Sequence, residues 1–360
     1  MNHATPTIFV LPLLAVLAPA DTIHLTDGKS IDDCRIGKET YEQIEYREGG
    51  KSGKVATDRV LRIELTVLPA LVDRAETAAR DEQVFDAIAD LEDYVAGAGG
   101  ADRRHPWAPA HAMYRLVELK FMVGDAAGAE AAADLLIEEA PTSRYVPFAY
   151  LAKAQAQFDQ GGGDKAQSTL RGFEATIQKA SMSQRWELEC ELARVLFDGS
   201  LKGSSRREKL ADVSGRAGRR FPTVRNRADV AEAETWLDAR EFEKAEQVFQ
   251  RIVDDPKADA STLAAAYTGY GDCRFQRAFA MGDGTDKDKL YRSALLSFMR
   301  VVVVYGDQVR YVPKAMLLAA RIFDQADDEV SKERAQRLYR TVMRLYEGSS
   351  WAQEARGFKK

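Results

Sequence analysis

Residues 245–252 read AEQVFQRI. Ala245, Phe249 and Ile252 stand at i, i+4 and i+7, which places all three on one face of an α-helix. A small residue first lets a neighbouring helix approach, and a large one a turn later fills the groove beside it. The same set returns as Ala87/Leu91/Tyr94, Ala129/Ala133/Leu136, Ala166/Leu170/Phe173, Ala294/Phe298/Val301 and Ala335/Tyr339/Val342. A degraded copy, Leu210/Ser214/Ala217, fills the one gap, and successive starts lie 35–49 residues apart. A recurrence of this length marks a repeat architecture, with one supersecondary element per repeat.

Turn signals precede most of these helices: Gly124-Asp125, Gly161-Gly162-Gly163-Asp164, Gly203-Ser204-Ser205 and Asp283-Gly284-Thr285-Asp286. Asp or Ser there is expected to cap the coming helix by accepting its free N–H groups. A second amphipathic helix precedes each turn, as in FAYLAKAQAQF (148–158). Pro141, Pro222 and Pro256 are expected to stop the second helices. The unit is therefore helix, turn, helix, stop, seven times over. Two phrases, SRYVP (143–147) and VRYVP (309–313), fall at the joint between one unit and the next. Pro147 and Pro313 suit the first turn of a helix, where no N–H is needed, and Tyr145 and Tyr311 can cover the junction. The run VVVV (301–304) reads as a strand by itself, but its place after LYRSALLSFMR predicts a buried helical end.

The pattern resembles the tetratricopeptide repeat family over roughly residues 69–355. Tyr267/Tyr270/Gly271 and Phe148/Leu151/Ala152 fit the large, apolar and small positions of that family's first helix, and the sets above fit its second. Trp is seldom in the family's place, and the period is longer than usual. The resemblance implies a mainly α fold: a right-handed tetratricopeptide-like solenoid of about seven hairpins. Its inner surface would be lined by first helices and form a groove for a peptide or partner protein. Among exported proteins, the chain looks most like periplasmic proteins of envelope assembly and of the Tol-Pal system.

The chain's beginning follows other rules. Ile8–Leu17 is an apolar run of ten followed by Ala18-Pro19-Ala20, the layout of a secretory signal peptide and too short to span a bilayer. The expected organisation is a signal peptide over 1–20, a small β module over 21–66 and the helical array over 67–360. Within the module, Ile23/Leu25, Ile44/Tyr46 and Leu61/Ile63/Leu65 alternate with polar residues, and Asp27-Gly28 and Gly49-Gly50 signal turns. About five short strands predict a small curved SH3-like or Sm-like barrel that packs on the helices. Export implies a periplasmic or otherwise extracytoplasmic location.

A net charge of −5 over 360 residues does not favour nucleic acid. Three cysteines, Cys34, Cys190 and Cys273, leave at least one thiol over, and buried free thiols are expected. No nucleophile, phosphate-loop or metal-ligand motif is present, so no cofactor or metal is expected; His105 and His111 are spaced poorly for a shared ion. The segment 282–289, GDGTDKDK, lacks the ligand alternation and closing Glu of a calcium loop and reads as a long turn. Glu187 and Glu191 share a helical face beside Trp186, the one hint of a cell-wall-acting enzyme, with Glu191 expected to pair with Arg194. Residues 204–227 hold seven Arg and one Lys against two acids. Arg206, Arg207, Arg216, Arg219, Arg220 and Arg225 are therefore candidates for docking an anionic partner, and Arg274 and Arg277 for lining the groove. The leading expectation is an exported, non-catalytic scaffold for an envelope protein. The alternatives are a cell-wall enzyme or its subunit, and a self-assembling structural component.

Overall fold

The computed structural model describes residues 20–98, 104–256 and 258–358. The predicted signal peptide, apart from Ala20, lies outside the described residues. Five strands follow: β1 (Asp21–Leu25), β2 (Ser30–Glu39), β3 (Gln43–Glu48), β4 (Lys51–Ala56) and β5 (Val60–Glu64). They form one antiparallel sheet in the order β4-β3-β2-β1-β5. Its edges, β4 and β5, are not paired with each other, and register shifts in three of the four pairings curve it. One shift corrects the expected alternation. His24 pairs with Arg62 and Leu25 with Val60, so Leu61 is bulged out and 68% exposed. The other inward residues, Ile23, Leu25, Cys34, Ile36, Ile44 and Val55, are buried in one continuous core with Val72 and Ala75 of the first helix. The sheet is stabilised by the array it rests on.

Seven helical hairpins follow: α1 (Ala70–Arg80) with α2 (Val84–Ala98), α3 (Ala108–Val123) with α4 (Ala126–Glu139), and α5 (Val146–Asp159) with α6 (Gly163–Lys179). Then come α7 (Gln184–Leu196) with α8 (Gly203–Ala217), α9 (Pro222–Asp238) with α10 (Phe242–Val253), α11 (Ala260–Phe279) with α12 (Thr285–Val304), and α13 (Val312–Asp324) with α14 (Glu329–Leu345). A short α15 (Ser350–Arg356) covers the last hairpin. Successive first helices from α3 to α15 pack on one another, and no pair of second helices packs comparably. First helices therefore form the inner wall and second helices the outer one.

Every repeat-set residue is buried except Ser214. Ser214 donates instead to Asp229 Oδ1 at 2.5 Å, and Val213 takes the buried place. Small residues opposite the large ones are as necessary as the sets themselves. A Cβ on Gly271 would meet the Phe298 ring at 2.7 Å, and one on Gly269 would fall inside the Phe249 ring. Gly271 thus occupies the small position assigned from the spacing.

Three local expectations change. Pro222 opens α9 rather than ending α8, and does the work of Pro147 and Pro313. Of the four turn segments only Asp125 caps its helix by a side chain; other side-chain caps among the described residues are Asp259, Asp328 and Ser349. Helix α12 does run through Val304, but Val303 is 74% and Val304 62% exposed; Val301 is the one buried in full.

The array turns far enough for its end to meet its beginning. Gly348 N–H donates to the Val123 carbonyl at 2.9 Å, Arg344 pairs with Glu82 at 2.8 Å, and Met122 packs against the core that holds Leu345 and Tyr346. The last hairpin's joint end thus rests on the turn ends of the first two. Gly124 and Gly348 meet backbone to backbone, and a Cβ on Gly348 would lie 2.5 Å from the Val123 carbonyl oxygen. Backbone cannot move aside as a flexible side chain would. Gly348→Val is therefore expected to part the seam at a cost of about 1–3 kcal/mol and to enlarge the radius of gyration in small-angle scattering. An unchanged radius and unchanged urea midpoint would show that the ends do not hold each other.

Candidate functional site

The two Arg-Tyr-Val-Pro joints share a backbone and differ in their partners. Tyr145 and Tyr311 are both the residue before helix entry, with Pro147 and Pro313 in the first turn. Trp107-Ala108-Pro109 repeats the arrangement at α3, and Phe221-Pro222 at α9. These copies were legible in the sequence as an aromatic followed within two residues by proline.

Arg144 reaches into the β module. Its Nε donates to Glu39 Oε2, a carboxylate buried on β2, and its Nη2 donates to the Tyr145 hydroxyl at 2.6 Å. His111 Nδ1 lies 3.1 Å from the same hydroxyl, His111 Nε2 lies 3.5 Å from Glu76 Oε1, and Arg115 pairs with Glu76 at 2.7 Å. The Tyr41 N–H also donates to the Thr142 carbonyl at 3.1 Å. Burial pushes the Glu39 carboxyl up, against the pull of Arg144 and His111. Burial opposes ionisation of Glu76 as well, but the hydrogen bond from His111 and the Arg115 guanidinium win and hold that carboxyl down at about 2.

Arg310 points elsewhere. It is exposed, lies 5.9 Å from the Tyr311 ring, and feels the carboxylates of Glu234 on α9 and Asp159 at the end of α5. Glu234 and Asp159 are open to solvent, yet protein surrounds them closely enough that lost hydration raises both carboxyls. Beside them Lys314 pairs with Asp272 at 2.7 Å, linking α13 to α11. Charges of hairpins 3 and 5 therefore act on Arg310 at the entry to hairpin 7, while the ion pair of Lys314 joins hairpin 7 to hairpin 6.

The basic candidates do not form one patch. Arg206 donates to the Leu196 carbonyl, and Arg207 lies 3.8 Å over the Trp236 ring. Arg216 holds Glu191 at 2.7 Å and Asp212 at 3.2 Å, Arg220 donates to Gln184, and Arg225 pairs with Asp255 at 2.8 Å. Arg274 and Arg277 both pair with Glu246. These side chains tie helices together, and Arg219 stands exposed.

A cleft of about 710 Å³ opens on the outer wall between α6 and α8, over α7. Ile177, Cys190 and Val195 lie buried beneath it and Leu201 is half-buried at its edge, and Glu187 and Glu191 are among its carboxylates. The expected Glu191–Arg194 pair does not form: Glu191 pairs with Arg216 across helices, and Arg194 with Glu174 at 3.2 Å. Both expected partners are drawn to neighbouring helices. Glu187 is exposed. Among the described residues no group of three His, Cys, Asp or Glu could hold a metal ion, and residues 282–289 lead into α12 with Lys287–Asp283 and Lys289–Asp286 pairs. The three cysteines are free and buried, as expected, and burial pushes Cys34 to about 11 and Cys190 and Cys273 to about 12. No helix among the described residues is long and apolar enough to cross a membrane.

Fold and joints together define a tetratricopeptide-like helical solenoid with a β sheet docked on its first hairpins. No family model matches the sequence, and no curated protein matches it. Among solved structures, a tetratricopeptide repeat protein from Parabacteroides merdae is 12% identical, with 79% of this chain and 95% of that chain covered and a TM-score of 0.41. The C-terminal part of a repeat-containing protein from Cytophaga hutchinsonii is 10% identical, with 79% and 98% covered and a TM-score of 0.33. The tetratricopeptide domain of P58(IPK) is 14% identical, with 79% and 76% covered and a TM-score of 0.29. The hairpin geometry of the chain itself, not these superpositions, defines the solenoid.

The joints differ in a measurable way. Arg144→Met leaves the buried Glu39 carboxylate without its cation and is expected to cost about 3–5 kcal/mol. Arg310→Met, at a solvated site, should cost no more than about 1 kcal/mol. Equal losses in urea unfolding would refute the distinction. For Glu76 the folded-state value lies below the ordinary one, so its contribution is present above pH ~4.5 and disappears as pH falls toward 2. That contribution is on the order of 3 kcal/mol. Glu76→Gln should flatten the acid limb of the stability profile between those limits; a limb as steep as in the parent would contradict the assignment.

Proposed function

We propose that the chain is an exported, non-catalytic scaffold that binds another protein of the cell envelope. The observation that carries this reading is the stacked array itself, which presents a long outer wall of second helices interrupted by a cleft. An array built this way offers an extended recognition surface without needing a reacting centre. Ile8–Leu17 and the small residues behind it support export. The outer cleft is the favoured surface, because it is a cavity of about 710 Å³ that carries exposed carboxylates.

The self-assembling alternative loses support from the seam: the surfaces that a head-to-tail stack would use at Glu82, Val123 and Gly348 are already occupied within one chain. The enzyme alternative keeps one observation, the shared presence of Glu187 and Glu191 in the outer cleft. Crosslinking in intact cells of the source organism, followed by mass spectrometry, tests the scaffold reading. A partner recovered reproducibly from the envelope fraction is the expected result. Recovery of the protein in the cytoplasm with residues 1–20 still attached would refute export. Hydrolysis of peptidoglycan by the purified protein, abolished in Glu187→Gln, would replace the scaffold with an enzyme.

A further inference from the structure

We propose that the outer cleft between α6 and α8 receives a basic segment of the protein partner, with its Lys or Arg heads on the cleft's carboxylates. This rests on the scaffold reading and adds the chemistry of what is bound. The cleft is lined mainly by charged and polar side chains from α6, α7 and α8, with Ile177, Cys190 and Val195 buried beneath them and Leu201 half-buried at one end.

Charge decides the kind of partner. Of the cations in the lining, Arg194 is engaged by Glu174, and Arg216 by both Glu191 and Asp212. Lys209 remains, beside Asp198, whose carboxyl is lowered chiefly by hydrogen bonds from Ser200. Glu187 and Glu208 stand exposed, one on α7 beneath the cleft and one on the α8 wall. The lining contains six carboxylates against three cations, so its field is negative and selects against acidic segments. An anionic partner, which the Arg-rich composition of 204–227 suggested, would meet this cleft with the wrong sign. Helix α8, which carries Arg206, Arg207 and Arg216, also brings Glu208 and Asp212 to the cleft, and Arg216 is spent on Asp212 and Glu191.

The test uses the full mature chain and two labelled helical peptides of equal length, one alternating Lys with Leu and one alternating Glu with Leu, followed by fluorescence anisotropy. The Lys peptide is expected to bind and to weaken with added salt, and the Glu peptide is not. Glu187→Lys with Glu208→Lys should weaken the Lys peptide about tenfold or more. Both side chains are exposed, and an unchanged thermal transition will confirm that the variant folds. Equal binding of the two peptides, or binding of the Lys peptide unaffected by the double reversal, would overturn the proposal. So would sedimentation showing a dimer of the parent that the reversal dissociates, since the occupant would then be a second copy. Capture of the same envelope partner by parent and double variant alike would overturn the cleft and leave the scaffold standing.

Discussion

A large ring on one helix needs a missing side chain on the helix it faces. Phe249 sits where Gly269 has no Cβ, and Phe298 where Gly271 has none. Six of the seven second helices contribute an alanine at 0% exposure, so that backbones approach, and most then set a large residue that fills what the approach leaves. The spacing between hairpins follows from that fit, the rotation between hairpins follows from the spacing, and the meeting of the two ends follows from the accumulated rotation. The β sheet then has a first hairpin of fixed shape to lie on.

The joints show how one local solution is put to different uses. An aromatic residue followed by proline sets the entry to α3, α5, α9 and α13, because proline supplies the helical φ without needing a hydrogen bond that the first turn could not offer. The arginine before the aromatic is free of that duty. At residue 144 it neutralises a buried glutamate of the sheet; at residue 310 it reaches solvated carboxylates of other hairpins. Backbone geometry repeats, and charge does not have to.

Much of the fold was legible because it is periodic. The i, i+4, i+7 sets named twenty residues that are buried and one, Ser214, that is half-buried, and the switch from period 2 to period 3.6 separated sheet from array. What escaped was contact between distant parts. Nothing in the local pattern of Arg144 points to Glu39, since that pair depends on how the sheet docks, and nothing near Gly348 points to Val123, since that pair depends on rotation summed over many hairpins. Leu61 failed for a related reason: one bulge shifts a strand's phase, and alternation alone carries no sign of it. The arginines of 204–227 are spread over different contacts, because a helix sends successive side chains in different directions. The cleft could not be read at all, although two of its glutamates drew notice, because its walls come from separate repeats.

The Val123–Gly348 seam gives the number of repeats a meaning. In an open solenoid, loss or duplication of a hairpin changes length and little else, and such arrays drift in copy number over evolutionary time. Here one hairpin more or fewer would carry the last joint past the first turns or stop it short of them. Insertions are absorbed more easily within turns and joints, where repeat spacing already ranges from 35 to 49 residues. The seam thus ties the number of hairpins to the geometry of closure, while turns and joints set the length of each copy.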